Sequence, residues 1–135
     1  MRFIAVLAAA AVIAGPVAAA PQMTPVVVYF NAKSDALVPS AQELLDATVA
    51  QYRQHGAGMV ILAGHADPHE GSTEQGVGLS QRRANAVREY LVSRGVPAGL
   101  MTTQAFGPSR PAVEVPGPDP ANRRVEITFG PGSGW

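Results

Sequence analysis

The sequence predicts an α/β two-layer sandwich, a mixed four-stranded sheet with two helices on one face. Three observations predict it. Two apolar runs of strand length, residues 26–30 and 59–63, each precede a stretch with apolar residues at helical spacing. A last segment, residues 123–129, alternates polar or charged positions with Val125, Ile127 and Phe129. The chain has 135 residues, which suits one domain and is short for two. The predicted order is β-α-β-α-β-β over residues 26–129.

Val26, Val27, Val28, Tyr29 and Phe30 are β-branched or aromatic, and their lack of alternation predicts a strand buried on both faces. Pro39 and Ser40 open the next segment, where proline suits the first turn of a helix. Ala41, Leu44, Leu45, Thr48, Val49 and Tyr52 then recur at helical spacing, and Gly56 and Gly58 end the helix. Residues 59–63 read as a second buried strand. Residues 64–78 hold four glycines and read as a polar loop. Leu79, Arg83, Ala84, Val87, Tyr90 and Leu91 mark a second helix, closed by Arg94 and Gly95 with Pro97 beyond. A third strand is expected over residues 100–106. Residues 107–121 contain five prolines and form a rigid connection into the final strand.

The first 20 residues stand apart. Seventeen of them are apolar and Arg2 is their only charge. A charged start, a short apolar stretch broken by Gly15 and Pro16, and small residues after it form the layout of a secretory signal peptide. Cleavage is expected after Ala19, leaving a short leader over residues 20–25 and a disordered tail over residues 130–135. A spanning helix needs about 20 apolar residues, more than this stretch supplies. With no cysteine in the sequence, neither a disulfide framework nor a lipid-modified cysteine is expected. The expected protein is exported to the periplasm, without a membrane span after cleavage. Ten Lys and Arg balance ten Asp and Glu, which excludes a basic surface for nucleic acid.

Few residues carry chemistry. No G-x-S-x-G, cysteine nucleophile or glycine-rich phosphate loop is present, so neither enzyme activity nor a cofactor is expected. His65, Asp67 and His69 form an H-x-D-x-H run, but no distal cluster of ligands matches it, and no metal is expected. His55 falls at a helix end, where its charge suits the dipole. The stronger pair is Asp67 with Arg83. In a β-loop-α unit the carboxyl end of the strand and the amino end of the helix share one edge of the sheet. Two arrangements fit this pair. Both side chains face a crevice and hold a zwitterion, the acid taking an ammonium and the guanidinium a carboxylate; or they close on each other as an internal salt bridge.

These residues fall into five blocks. Val28, Tyr29 and Phe30 with Asp35 and Leu37 form the first. Gly64-His65-Ala66-Asp67, residues 79–87 with their Leu-Ser-x-x-Arg-Ala pattern, and Gly107, Pro108 and Pro111 follow. Asn122-Arg123-Arg124-Val125-Glu126 is the last. In this order they resemble the OmpA-like C-terminal domain, shared by outer-membrane anchoring proteins, Pal lipoproteins and flagellar-stator B subunits. The resemblance covers about residues 26–129.

It implies non-covalent binding of peptidoglycan through the diaminopimelate residue of the stem peptide. Asp67 would contact its ammonium and Arg83 its carboxylate, with Asn31, Leu79 and Ala66 lining the pocket and Arg124 flanking it. Asn122 and Arg123 would be structural. The chain departs from the family pattern at Gly76, where an asparagine is usual, and at Ala66, where a threonine is usual; the loop after Asp67 is one residue longer. Those departures support a second expectation, an interaction or scaffold domain of the same fold that has lost peptidoglycan and binds other envelope proteins.

Overall fold

The structure is a computed structural model that describes residues 23–56 and 58–130. The expected signal peptide over residues 1–19, residues 20–22 of the expected leader and residues 131–135 of the expected tail lie outside the described residues. Four strands form one sheet: β1 (Val26–Tyr29), β2 (Val60–Gly64), β3 (Met101–Ala105) and β4 (Arg124–Phe129), in the order β1-β4-β2-β3. Two helices, α1 (Pro39–His55) and α2 (Thr73–Ser93), complete the expected element order.

Strand β4 lies antiparallel to both β1 and β2, while β2 and β3 are parallel. The first three strands therefore run the same way and end at one edge of the sheet. Tyr29 and Gly64 close β1 and β2 opposite Arg124 and Val125, which open β4, and Gly64 also pairs with Ala105 at the end of β3. The segments that follow Tyr29, Gly64 and Ala105 thus gather beside the start of β4. This edge positions the candidate site.

Alternate sheet residues face the helices. Val28, Val60, Leu62, Val125, Ile127 and Phe129 join Leu45, Val49 and Tyr52 of α1 and Ala84, Val87 and Leu91 of α2 in one core. Leu45, Leu62 and Ile127 are fully buried, each contributing roughly 2 kcal/mol by loss of apolar surface from water. Met23 is buried in the same core, so the domain begins within the stretch expected to be a leader.

Two expectations need correction. Strand β1 is not buried on both faces: it is an edge strand, and Tyr29, on the face away from the helices, is 52 % exposed. Its unbroken apolar run reflects β-propensity and one buried face rather than two covered ones. Helix α2 begins at Thr73, well before Leu79, so the loop is only residues 65–72. Ser72 caps it, its hydroxyl accepting from the Gln75 N–H while the Gln75 side chain accepts from the Ser72 N–H. Gly76 and Gly78 lie inside the helix, and their loop-like composition concealed this capping box. Helix α1 starts at Pro39 and stops at Gly56, which takes the left-handed conformation (φ 58°).

Close approach explains Gly64 and Gly76. A Cβ on Gly64 would stand 1.9 Å from the Ser80 carbonyl oxygen, so only glycine lets α2 settle onto the end of β2. A Cβ on Gly76 would meet Pro108 at 3.0 Å and Ala66 at 3.6 Å. The departures at Gly76 and Ala66 therefore occupy one tight contact between α2 and the loop after β3, with little room for larger side chains.

Candidate functional site

The loop between β2 and α2 turns back on itself at once. Asp67, Pro68, His69 and Glu70 form a β-turn in which the Glu70 N–H donates to the Asp67 carbonyl (3.0 Å), with proline second in the turn. The turn folds the Glu70 side chain inward, where only 8 % of the residue is exposed.

Arg83 rises from α2 to meet it and is fully buried. Its Nη1 and Nη2 donate to the two carboxylate oxygens of Glu70 at 2.8 and 2.5 Å. Nε donates to the Ser34 carbonyl (2.9 Å), Nη1 also to the His65 carbonyl (3.0 Å), and Nη2 also to the Asn31 carbonyl (3.2 Å). A guanidinium has five N–H donors, and all five are used. Phe30 lies beneath the guanidinium, 5.4 Å from ring centroid to Cζ. Glu70 is equally saturated, because the Asp67 N–H donates to Oε1 (2.8 Å) and the Lys33 N–H to Oε2 (2.6 Å). Lys33 takes a left-handed backbone (φ 55°), a strained conformation for a non-glycine residue at this contact. Burial opposes the charge on Glu70, yet the Arg83 hydrogen bonds and the two amides hold its pKa below the ordinary value.

Asp67 faces another set of donors. The His69 N–H (2.8 Å) and His69 Nδ1 (2.9 Å) meet Oδ1, and the Asp119 N–H and Asn122 Nδ2 (3.0 Å each) meet Oδ2. Burial again opposes ionisation, but these four bonds outweigh it and hold the carboxyl down at about 2. Asn122 also bonds both the N–H and the carbonyl of Val113, so one side chain fastens the proline-rich connection to the acid. Arg123 donates from Nε to the Phe30 carbonyl.

Neither arrangement expected for Asp67 and Arg83 describes the geometry. They do not pair with each other, and they do not face an open crevice together. Glu70 stands between them, its Oε1 accepting from both the Asp67 backbone and Arg83. Beside this cluster a depression of about 280 Å³ is lined by Lys33, Glu70, Gly71, Gln75, Leu79 and Arg82. Of the residues implied as ligands, Leu79 reaches this depression, Asn31 meets Arg83 through its carbonyl, and Ala66 is buried with its N–H on the Gly107 carbonyl. Arg124 is elsewhere. It shares with Glu126 the sheet face that the helices leave uncovered, donating to Glu126 (2.8 Å) and to the Arg110 carbonyl (3.0 Å). Strand alternation separates it from the Arg83 side of the sheet.

The H-x-D-x-H run does not converge. His65 stacks on Phe106 at 5.3 Å on the uncovered face, while His69 bonds Asp67. Among the described residues no three His, Cys, Asp or Glu side chains gather as a metal site. His55 Nδ1 lies 2.9 Å from the Gln51 carbonyl at the end of α1. Sequence reasoning missed Glu70 and the amides of Lys33 and Asp67. The Asp-Pro-x-Glu turn was the available signal, since a proline after Asp67 returns the chain within four residues.

The fold and this saturated acid–base cluster define a mixed α/β domain built to hold charged groups under one edge of its sheet, with no assembled nucleophile and base among the described residues. The OmpA family model matches residues 29–124, and the chain belongs to that family. It is 35% identical over 106 residues to a peptidoglycan-associated lipoprotein of Haemophilus influenzae, covering 76% of this chain and 67% of that protein. A peptidoglycan-associated lipoprotein of Rhizobium meliloti is 38% identical over 87 residues, 62% of this chain and 47% of that protein. The chain thus spans about half the length of several curated relatives it matches. Among solved structures, the peptidoglycan-associated lipoprotein from Burkholderia pseudomallei superposes with a TM-score of 0.69 at 28% identity, over 77% of this chain and 89% of that one. The periplasmic domain of Helicobacter pylori MotB shares the fold at 19% identity, with a TM-score of 0.68 over 82% of this chain and 77% of that one. No helix among the described residues is long and apolar enough to cross a membrane.

Proposed function

We propose that this chain is a non-catalytic peptidoglycan-binding module of the cell envelope, working in the periplasm and taking the diaminopimelate residue of the stem peptide at the Asp67–Arg83 edge. One observation carries the reading: Arg83 already grips a carboxylate, that of Glu70, with both terminal nitrogens, beside a depression lined by Lys33, Leu79 and Arg82. Two-pronged grip on a carboxylate is the chemistry that recognises one end of a diamino acid. Family membership and the names of the relatives add to it. The roles of Asp67, Asn31, Leu79 and Ala66 as ligand contacts belong to this proposal, and Arg124 is left out because it lies on the other face.

A second reading rests on a specific observation. All five donors of Arg83 and both oxygens of Asp67 are occupied within the protein, as suits an envelope scaffold that has lost the ligand. Cosedimentation of the parent protein with purified sacculi separates the two. Pelleting with diaminopimelate-type sacculi, and much less with lysine-type sacculi, is expected. Equal pelleting with both removes the diaminopimelate specificity, and pelleting with neither favours the scaffold.

A further inference from the structure

Four donors converge on the two oxygens of Glu70. Two come from one guanidinium, and the others are backbone N–H groups of Lys33 and Asp67. None of the four belongs to Glu70's own side of the turn beyond Asp67. The receptor is therefore assembled from the segment after β1, the first residue of the turn that carries Glu70 and the middle of α2. Arg83 is held by three carbonyls that do not involve Glu70, those of Asn31, Ser34 and His65. Removing the Glu70 carboxylate would leave the guanidinium anchored and the two amides pointing at vacated space.

The occupant, by contrast, sits on the exposed loop. Pro68 and His69 are exposed, and Gly71, directly after Glu70, has φ +129°, a conformation open to glycine and strained for other residues. A Cβ on Gly71 would also stand 2.4 Å from Gln75 Oε1, within the capping box that fixes the start of α2. The chain is thus held by the cap from Ser72 onward, and Gly71 is the one residue between that cap and Glu70. Glu70 also lines the depression shared with Lys33, Leu79 and Arg82.

We propose that Glu70 is a resident ligand: its carboxylate fills a carboxylate receptor made by Arg83 and the amides of Lys33 and Asp67, and an external carboxylate binds by displacing it through the pivot at Gly71. This rests on the reading that the Arg83 edge takes a carboxylate-bearing ligand, and it adds the competitor that sets the affinity. The exchange is one carboxylate for another on the same four donors, so no charge is left buried without a partner. The cost is the fraction of molecules with Glu70 outside. If that fraction is about one in ten, apparent affinity falls about tenfold below that of the open receptor.

The test uses the full chain carrying Glu70→Ala. Its thermal midpoint is measured in sodium acetate and in sodium chloride at matched ionic strength. The variant is expected to melt lower than the parent in chloride and to regain several degrees in acetate with a saturating dependence, the parent showing the gain only at higher acetate concentration. In cosedimentation with purified sacculi, Glu70→Ala and Glu70→Gln are expected to half-saturate at a lower concentration than the parent. If Glu70→Ala folds only in acetate, that recovery is the expected rescue. No rescue by acetate overturns the receptor, whatever the sacculi do. Rescue with parent and variants pelleting equally overturns displacement. Rescue with no pelleting by any of the three leaves the self-filled receptor standing and removes the peptidoglycan reading instead.

Discussion

His65 and Asp67 stand two residues apart at the end of one strand, both are 2 % exposed, and burial treats them oppositely in outcome. Asp67 is kept charged down to about pH 2 by four hydrogen bonds. His65 is kept neutral: burial first, and then the nearby Arg124 charge, lower its pKa to about 4, with Glu126 opposing. Neither His65 ring nitrogen has a hydrogen-bond partner among the described residues, and Nε2 lies 3.6 Å from Glu126. One side of the sheet edge is a closed network of charges. The other is a stack of Arg110, Phe106 and His65, in which the imidazole serves as an aromatic plate. Burial sets the penalty for charge, and the supply of donors decides whether the charge survives it.

The largest test removes the supply. Arg83→Ala leaves Glu70 buried with two amides and no counter-charge, and should cost about 3–5 kcal/mol in urea unfolding. It should also raise the Glu70 pKa, visible by carboxyl NMR. A loss under about 1 kcal/mol would mean that the network contributes little. Next comes the neutral side. The folded pKa of His65 lies below its unfolded value, so the unfolded state binds the proton first. Stability should therefore fall as pH drops from about 6.5 to 4, by on the order of 3 kcal/mol. His65→Phe, which keeps a ring on Phe106, should flatten that slope in denaturation curves taken at pH 7, 5.5 and 4.5.

A smaller effect is expected at Asn122→Ala. It takes one donor from Asp67 and unpairs Val113, costing about 2 kcal/mol. The Asp67 carboxyl should then titrate nearer its ordinary value. The stability it contributes, complete above about pH 4 and lost as pH falls toward 2, should then be smaller, and the weakened protein should unfold in acid at a higher pH than the parent. The smallest is Ser72→Ala, which removes the cap that anchors α2 next to the charged loop. It should cost about 1 kcal/mol and leave the His65 slope untouched.

Much of the fold was legible because its signals are local. Pro39 and Gly56 bracket α1, alternation marks β4, and the five ordered blocks identify the family. Helix α2 was read six residues short because Gly76 and Gly78 mask a capping box whose Ser72 and Gln75 are plain once the glycines are discounted. The edge position of β1 was not legible: three valines suit an edge or a centre, and only the insertion of β4 between β1 and β2 decides it.

The sequence alone determined the elements and their order, since these follow from periodicities of two and 3.6 within a few neighbouring positions. It also marked Asp67 and Arg83 as the charged residues of one sheet edge. Only the tertiary structure decided which charge meets which. Arg83 is held by carbonyls 49 and 52 residues away and by Glu70, not by Asp67, because a single β-turn aims Glu70 inward while Asp67 turns to donors 52 and 55 residues further along the chain. Such partners are chosen by proximity in space and by the cost of leaving a buried charge unmatched, and neither is written in the spacing of residues along the chain.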